Sequence, residues 1–478
     1  MPNIDSCHWW NARVLEAGAR TVTKLTATGV RLFAGSLLLF TNAVVRRSLL
    51  TIVVLNISIG IEKHLFLHRE AAELGSLGGL QLSLTNIALL GLYVGWFLGS
   101  RTVRMSSDTT PNAARNSKIV FPALAFLLFC TVSCFAASDI TLALFGWASV
   151  LERFCLLLLL ASTLVTKEEI IFVIRLTLIA SIVQSLIMLA QLGGLIADLD
   201  FLGFKTRAEF AGAERISGTL GAPNMAAAYL SMMIVVMAGV LLARTQLIDK
   251  ALAVVGLISA IVPLIATASR GGWASLFVGL TALAILRGRR LPRNFVWVTV
   301  LIIAVVVPFK HFIQDRLLDD DNGSSAARMP LNGLAIRLIA DHPLTGVGVN
   351  NFAVAMQPYL VHGFTGEFVY TVHNTYLLVW AETGVGGVVV FVWILGSVTG
   401  GALRCSRSHG GMLGSAALGM AAALIGLMVQ MSVDIFRSDA ANYLLWLFAG
   451  LIVAIGRLED SSVPALSRYC DIPHSAFH

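Results

Sequence analysis

Apolar runs of about 17 to 25 residues, the length that crosses a hydrocarbon layer as a helix, recur along the whole of this 478-residue chain. They can be placed at 46 to 66, 80 to 100, 118 to 137, 140 to 165, 168 to 195, 222 to 243, 249 to 268, 272 to 288, 294 to 311, 372 to 403, 411 to 431 and 440 to 457. No soluble core absorbs so many. The chain is 57% hydrophobic and 13% charged, whereas a soluble domain is roughly a quarter charged. The fold expected is an all-α polytopic membrane protein with about twelve transmembrane helices. The run from 29 to 45 is short and ends at Arg46-Arg47, which reads as an interfacial helix.

The formal charge of +7 does not point to nucleic acid, because the basic residues fall between apolar runs and follow topology instead. Arg101, Arg104, Arg115, Lys118, Lys167, Arg244, Lys250, Arg287, Arg289, Arg290, Arg293, Arg404 and Arg407 all occupy alternate connections, which marks that side as cytoplasmic. Residues 1 to 28 lack the apolar stretch and small-residue cleavage site of a signal peptide, so the N-terminus is expected to be uncleaved and cytoplasmic. The layout is then a cytoplasmic N-terminus with its interfacial helix (1–45), nine spans (46–309), one large external loop (310–371), three spans (372–457) and a cytoplasmic tail (458–478). Arg207, Arg215, Arg270, Arg316, Arg328, Arg337 and Arg437 lie on the outer side against the positive-inside bias, so each needs a partner or a task.

The external run is the longest hydrophilic insertion in the chain, and loops of that length are usually functional. It ends at His373-Asn374-Thr375-Tyr376, where the tenth span opens. A histidine there reads either as a structural hydrogen-bonding residue or as a base working near neutral pH. Within the loop, Asp341-His342-Pro343-Leu344-Thr345-Gly346-Val347-Gly348-Val349-Asn350-Asn351-Phe352 reads as a helix end followed by glycine turns. It follows no strand, so it is no dinucleotide fingerprint.

Upstream, Arg215-Ile-Ser-Gly218-Thr-Leu-Gly221-Ala-Pro223-Asn224 leads into a helix with Pro223 near its first position. Free backbone N–H groups and a guanidinium fork suit phosphate oxygens; the plainer reading is a shaped turn with a snorkelling arginine. In Ser269-Arg270-Gly271-Gly272, an arginine at a hairpin tip must meet an anion, either a carboxylate such as Glu214 or Asp341 or a lipid-borne phosphate. Asp434 and Arg437 have the i, i+3 spacing of a helical ion pair. Glu152, Arg153 and Arg175 fall inside spans and read as buried ion pairs, a cytoplasmic crevice or a proton relay. Cys130 and Cys134 read as small core residues, and no HExxH or CxxC pattern occurs, so no metal is expected.

Taken in order, Arg215 with SGT and PN224, the SRGG tip, the HPLTGVGxNxF segment, and His373-Asn374-x-Tyr-Leu leading to Glu382-x-Gly384-x-x-Gly387 resemble the O-antigen ligase family, over roughly residues 50 to 457. That superfamily also holds O-antigen polymerases and protein O-oligosaccharyltransferases. The resemblance implies a GT-C-like integral-membrane glycosyltransferase of the bacterial inner membrane, with its active site facing the periplasm. It would move O-antigen glycan from undecaprenyl diphosphate to a sugar hydroxyl of the lipid A core, probing membrane lipids and two glycan partners with no cofactor and no metal. The family's two arginines and histidine fall on Arg215, Arg270 and His373, with Asn224 beside the diphosphate and Gly346, Gly348, Asn351 and Asn374 supporting the loop. Inversion is the expected stereochemistry, since no carboxylate pair for double displacement can be placed. A polymerase, a protein O-oligosaccharyltransferase, and a lipid or sugar transporter using the same arginines are the rival readings.

Overall fold

The computed structural model describes residues 42–103, 113–196, 199–201, 204–206, 215–288, 306–318, 324–361, 369–437 and 439–460. Most of the interfacial helix expected before Arg46, most of the span expected at 294 to 311, the acidic run at 319 to 321, Glu214 and the far C-terminal tail lie outside the described residues. In chain order the elements are α1 (Ala43–Ile59), β1 (Glu62–Leu65), α2 (Arg69–Glu73), β2 (Leu80–Ser83), α3 (Leu84–Val103), α4 (Ala113–Ser133), α5 (Ile140–Thr163), α6 (Lys167–Leu192), β3 (Leu199–Phe201) and β4 (Phe204–Thr206). After these come α7 (Pro223–Leu241), α8 (Leu247–Ala266), α9 (Arg270–Arg287), α10 (Lys310–Leu318), α11 (Ser324–Asp341), α12 (Phe352–Ala355), α13 (Gln357–Val361), α14 (Thr375–Ser408), α15 (Gly411–Gln430) and α16 (Ala440–Asp460).

The chain divides into two units. Residues 42–50 and 88–103 belong to the first, in which the Tyr93 and Trp96 rings meet edge to face at 6.4 Å. The remaining described residues form the second. Eight described helices are long and apolar enough to cross a membrane, namely α4 to α8 and α14 to α16. The chain is therefore a polytopic helical membrane protein. Two antiparallel hairpins, β1 with β2 and β3 with β4, qualify the all-α expectation. The span expected at 46 to 66 stops at Ile59, because Gly60 turns the chain at φ +69° and Glu62-Lys63-His64 then pair across the β1–β2 hairpin.

The centre of the second unit is built on small residues. Nine-tenths of α7 (89%) and 83% of α15 are buried inside the protein, against about half of α8 and α14 (50% each), so α7 and α15 form the hub of the bundle. Their backbones approach closely where Gly239 faces Gly419; a Cβ on Gly239 would stand 2.9 Å from the Gly419 Cα. Close packing of this kind, rather than any hydrophobic drive, is what holds helices together in lipid. Caps fix where the helices begin: Asp139 accepts from Thr141 N (2.9 Å) and Leu142 N (3.1 Å) at α5. Ser269 does the same for Gly272 N at α9 (3.2 Å), and Asn374 for Leu377 N at α14 (3.1 Å).

The polar region is not a structureless loop. Helix α11 sets Leu331, Leu334, Ala335 and Leu338 on one face, and these join Phe352, Ala353, Met356, Val372, Leu378 and Ala381 in a core of their own against the start of α14. Apolar periodicity was present there all along, interrupted by Pro330 and Asn332-Gly333, and the helix accommodates them.

Candidate functional site at one end of the bundle

The starts of α7, α9 and α14 and the ends of α8 and α15 come to the same end of the bundle, and the turn at 431 to 436 ties them together. Met431 O accepts from Thr375 N (2.8 Å), and the Thr375 hydroxyl donates to Asp434 O (2.8 Å) while accepting from Phe436 N (3.2 Å). The first residue of α14 is thus locked onto the turn, two positions after His373.

Asp434 is the hub. Its carboxylate, 5% exposed, accepts from Asn224 Nδ2 at 3.0 Å and from Gln430 Nε2 at 3.1 Å, with the Arg328 guanidinium 3.8 Å away. Asn224 in turn accepts from Arg215 Nη2 (2.9 Å), and Arg215 Nε donates to Thr267 O (2.8 Å). Burial pushes the Asp434 carboxyl above the usual range, opposed by the Gln430 amide, the Arg328 charge, the Asn224 amide and the Arg215 charge.

The start of α9, which carries Arg270, reaches the same place through glycine. The turn after α8 places Ala268 at φ +49°, Ser269 caps α9, and Arg270 is the first residue of that helix. A Cβ on Gly271 would lie 3.0 Å from Asp434 Oδ2, and one on Gly272 would collide with the Ala227 side chain of α7. The paired glycines after the arginine therefore let the α9 N-terminus seat against both α7 and the Asp434 turn. The His373 ring lies tilted against Tyr370, with the ring centroids 5.4 Å apart. Burial, then the Arg328 charge, hold its pKa down to about 4, against a backbone hydrogen bond at Thr371. The imidazole is neutral at pH 7.

The glycine-rich segment of the polar region makes a second constellation. Within α14, Gly384 breaks the helix at φ +72° and ψ −178°, which frees two carbonyls: Ala381 O accepts from Val347 N (2.9 Å) and Glu382 O from Gly348 N (3.0 Å). Val385 N donates to Pro343 O (2.9 Å), so residues 343 to 348 clasp the kink from outside. Gly346 and Gly348 adopt φ +67° and +97° because their neighbours, the Glu382–Thr383 backbone and Ala137, leave no room for a side chain. Asn351 reads both backbone groups of Asp139, accepting from its N–H at 2.8 Å and donating to its carbonyl at 3.0 Å. The buried Glu382 carboxylate accepts from Phe352 N (3.2 Å) and from Arg437 Nη2 (2.6 Å) and Nη1 (3.1 Å).

Of the residues singled out in the sequence, Arg215 and Asn224 bond into the Asp434 network, Arg270 opens the helix whose Gly271 packs on Asp434, and His373 and Asn374 immediately precede Thr375, which bonds to the turn. Gly346, Gly348 and Asn351 build the clasp instead, and the two constellations are joined by Arg437, three residues past Asp434. The expected Asp434–Arg437 pair does not form: residues 431 to 437 are a turn rather than a helix, and each side chain finds a partner elsewhere. Asp341 accepts from Tyr359 OH (2.5 Å), which engages the carboxylate considered for Arg270. Asp434, Gln430, Arg328 and the Glu382–Arg437 pair were not assigned a place in this network by sequence reasoning. An acid in a short connection between two apolar runs was the signal available for Asp434. Among the spans, Arg175 pairs with Asp249 at 2.6 Å, and Glu152 accepts from Tyr443 OH at 2.9 Å.

The fold and this cluster define a polytopic membrane protein with a buried carboxylate at the ends of its spans, held by Asn224 and Gln430 and flanked by Arg328 and, through Asn224, Arg215. Residues 254–392 match the family model described as O-Antigen ligase, and that match places the region in the O-antigen ligase superfamily. It includes Arg270, His373, the polar region and the kinked start of α14. Arg215 and Asp434 lie outside the matched residues yet bond into the same network. No curated protein matches the chain.

Proposed function

We propose that this chain transfers O-antigen glycan from undecaprenyl diphosphate to a sugar hydroxyl of the lipid A core, with inversion and without a metal ion, at the periplasmic face of the inner membrane. The observation that carries the proposal is the Asp434 turn, to which Arg215 bonds through Asn224, on which the α9 start that carries Arg270 packs through Gly271, and to which the α14 start two residues after His373 bonds through Thr375. In the reaction, the acceptor oxygen bonds to the anomeric carbon as the bond from that carbon to the phosphate oxygen breaks. The lipid diphosphate leaves with the electron pair. Guanidinium groups aimed at the departing oxygens act where negative charge grows, and a preorganised donor of this kind is worth about 3 to 4 kcal/mol.

His373 takes the acceptor proton. With a pKa near 4 it is a weak base, but a diphosphate placed beside it favours the imidazolium and raises that value. Donor binding therefore prepares the base as well as the leaving group. Asp434 does not touch substrate in this scheme; it orients Asn224, and through it the Arg215 fork. Twelve spans, the 310–371 region outside and both termini inside follow the alternation of Lys and Arg, in which Arg244, Lys250 and Arg287 lie at the opposite helix ends from Asp434.

The test is reconstitution of the purified chain in proteoliposomes with lipid-linked O-antigen and rough lipopolysaccharide, read on a gel. A gain of mass on the lipopolysaccharide is expected. Lengthening of the lipid-linked glycan instead would make the protein a polymerase, and movement of the glycolipid across the bilayer without any product would make it a transporter.

A further inference from the structure

The other end of the same helices holds a second cationic concavity. A cavity of about 600 Å³ lies where α7 ends, α8 begins, α9 ends and the α14–α15 turn passes; Arg244, Lys250 and Arg287 all line it, and among the described residues its lining holds no Asp or Glu. The nearest acid in sequence, Asp249, is already engaged by Arg175 Nε at 2.6 Å. Arg287 also reaches Leu242 O at 3.5 Å, at the C-terminal end of α7. The N-terminus of the 20-residue helix α15 borders the same cavity. Its cap, Gly410, has no side chain to satisfy the first N–H groups, and Gly411 follows at φ +62° with both glycines lining the cavity.

Three cations from three elements, a helix N-terminus and a lining without Asp or Glu among the described residues make a site for a compact anion with several acceptor oxygens. A basic pocket between spans at a membrane boundary is built to take a lipid head group. We infer that this cavity binds a phosphate ester, either the head group of an anionic phospholipid or a soluble phosphate. Positive-inside topology by itself asks only for cations somewhere at this end of the helices, as Arg404 and Arg407 supply; it does not ask for three of them around one cavity.

The experiment uses the full chain purified in detergent. Retention of phosphatidylglycerol against phosphatidylcholine is measured by native mass spectrometry, and stabilisation by inorganic phosphate by thermal shift. Wild type is expected to retain phosphatidylglycerol selectively. The Arg244→Gln/Lys250→Gln/Arg287→Gln variant should bind it roughly a hundredfold more weakly, taking about a fivefold contribution per cation near the membrane surface. Arg404→Gln/Arg407→Gln, outside the cavity, should retain it as wild type does. The Arg244→Lys/Arg287→Lys variant keeps every charge, and with it the membrane orientation, but loses the planar forks; it should weaken binding several-fold, and it decides the matter if the triple variant does not fold. Stabilisation by phosphate that disappears in these variants, without any preference for phosphatidylglycerol, assigns the site to a soluble phosphate. The inference is overturned if wild type shows neither response, if the cavity variants bind as wild type does, or if the Arg404/Arg407 control loses as much.

Discussion

Removing the carboxylate of Glu382 should cost the protein more than any comparable change in the polar region. The Glu382 and Arg437 side chains are 6% and 12% exposed, bonded at 2.6 and 3.1 Å, and Phe352 N also donates to the same carboxylate at 3.2 Å. Glu382→Ala leaves the Arg437 guanidinium with the 3.3 Å contact to Asn350 Oδ1 in place of its carboxylate, and breaking a buried pair from one side costs about 3 to 5 kcal/mol. Glu382→Gln keeps the shape and one acceptor, so about 2 kcal/mol is expected. Glu382→Met/Arg437→Met removes both charges and leaves Phe352 N unpaired, for a further cost of about 1 to 3 kcal/mol. Glu382→Met and Arg437→Met each strand one charge at about 3 to 5 kcal/mol, so their summed losses should exceed the double loss by at least about 3 kcal/mol in a double-mutant cycle. Equilibrium unfolding in mixed micelles reads all four corners. Additive single costs, or a Glu382→Ala cost below about 1 kcal/mol, would refute the reasoning that the pair is what fastens the clasp to the Asp434 turn.

Gly384→Ala should lower thermal stability sharply, since the position sits at φ +72° and a Cβ there meets the Leu344 carbonyl; melting of the detergent-purified protein checks it, with a loss above about 2 kcal/mol expected from backbone strain and collision together. Asp434→Asn should cut transfer roughly tenfold to a hundredfold through misorientation of Asn224 and Arg215, the cost of about 1.5 to 3 kcal/mol for hydrogen bonds to a charged group, while leaving the protein folded by size-exclusion. The acid limb of kcat/KM should lie near pH 4 rather than near the ordinary histidine value, because kcat/KM reports the free enzyme and burial holds His373 at about 4. The same shift has a stability sign: the folded state binds fewer protons than the unfolded one between about 4 and the histidine model value of 6.5, so stability falls as pH is lowered across that window.

Much of the site could be read from local pattern. Pro223 at a helix start, Ser269 before a Gly-Gly pair and Asn374 before an apolar run are cap signals, and each does open a helix where it stands. What sequence could not supply was the partner of each charge. Glu382 and Arg437 are 55 residues apart, and Asn224 and Asp434 are 210 apart, so nothing in local spacing links them. The i, i+3 reading of Asp434 and Arg437 presumed a helix, and the chain turns there instead. Gly384 was visible within ETGVGG as a motif, yet its role as the break that frees the Ala381 and Glu382 carbonyls depends on the clasp that meets it. The stripe of Leu331, Leu334, Ala335 and Leu338 has helical spacing, but Pro330 and Asn332-Gly333 masked it.

The most direct measurement of the central claim is the affinity of undecaprenyl diphosphate for the purified chain, compared with undecaprenyl monophosphate and with the Arg215→Lys and Arg270→Lys variants. The account predicts that wild type prefers the diphosphate and that each variant loses most of that preference, because a lysine cannot offer a planar fork to two phosphate oxygens. Equal binding of the two lipids by wild type, or an undiminished preference in both variants, would contradict it.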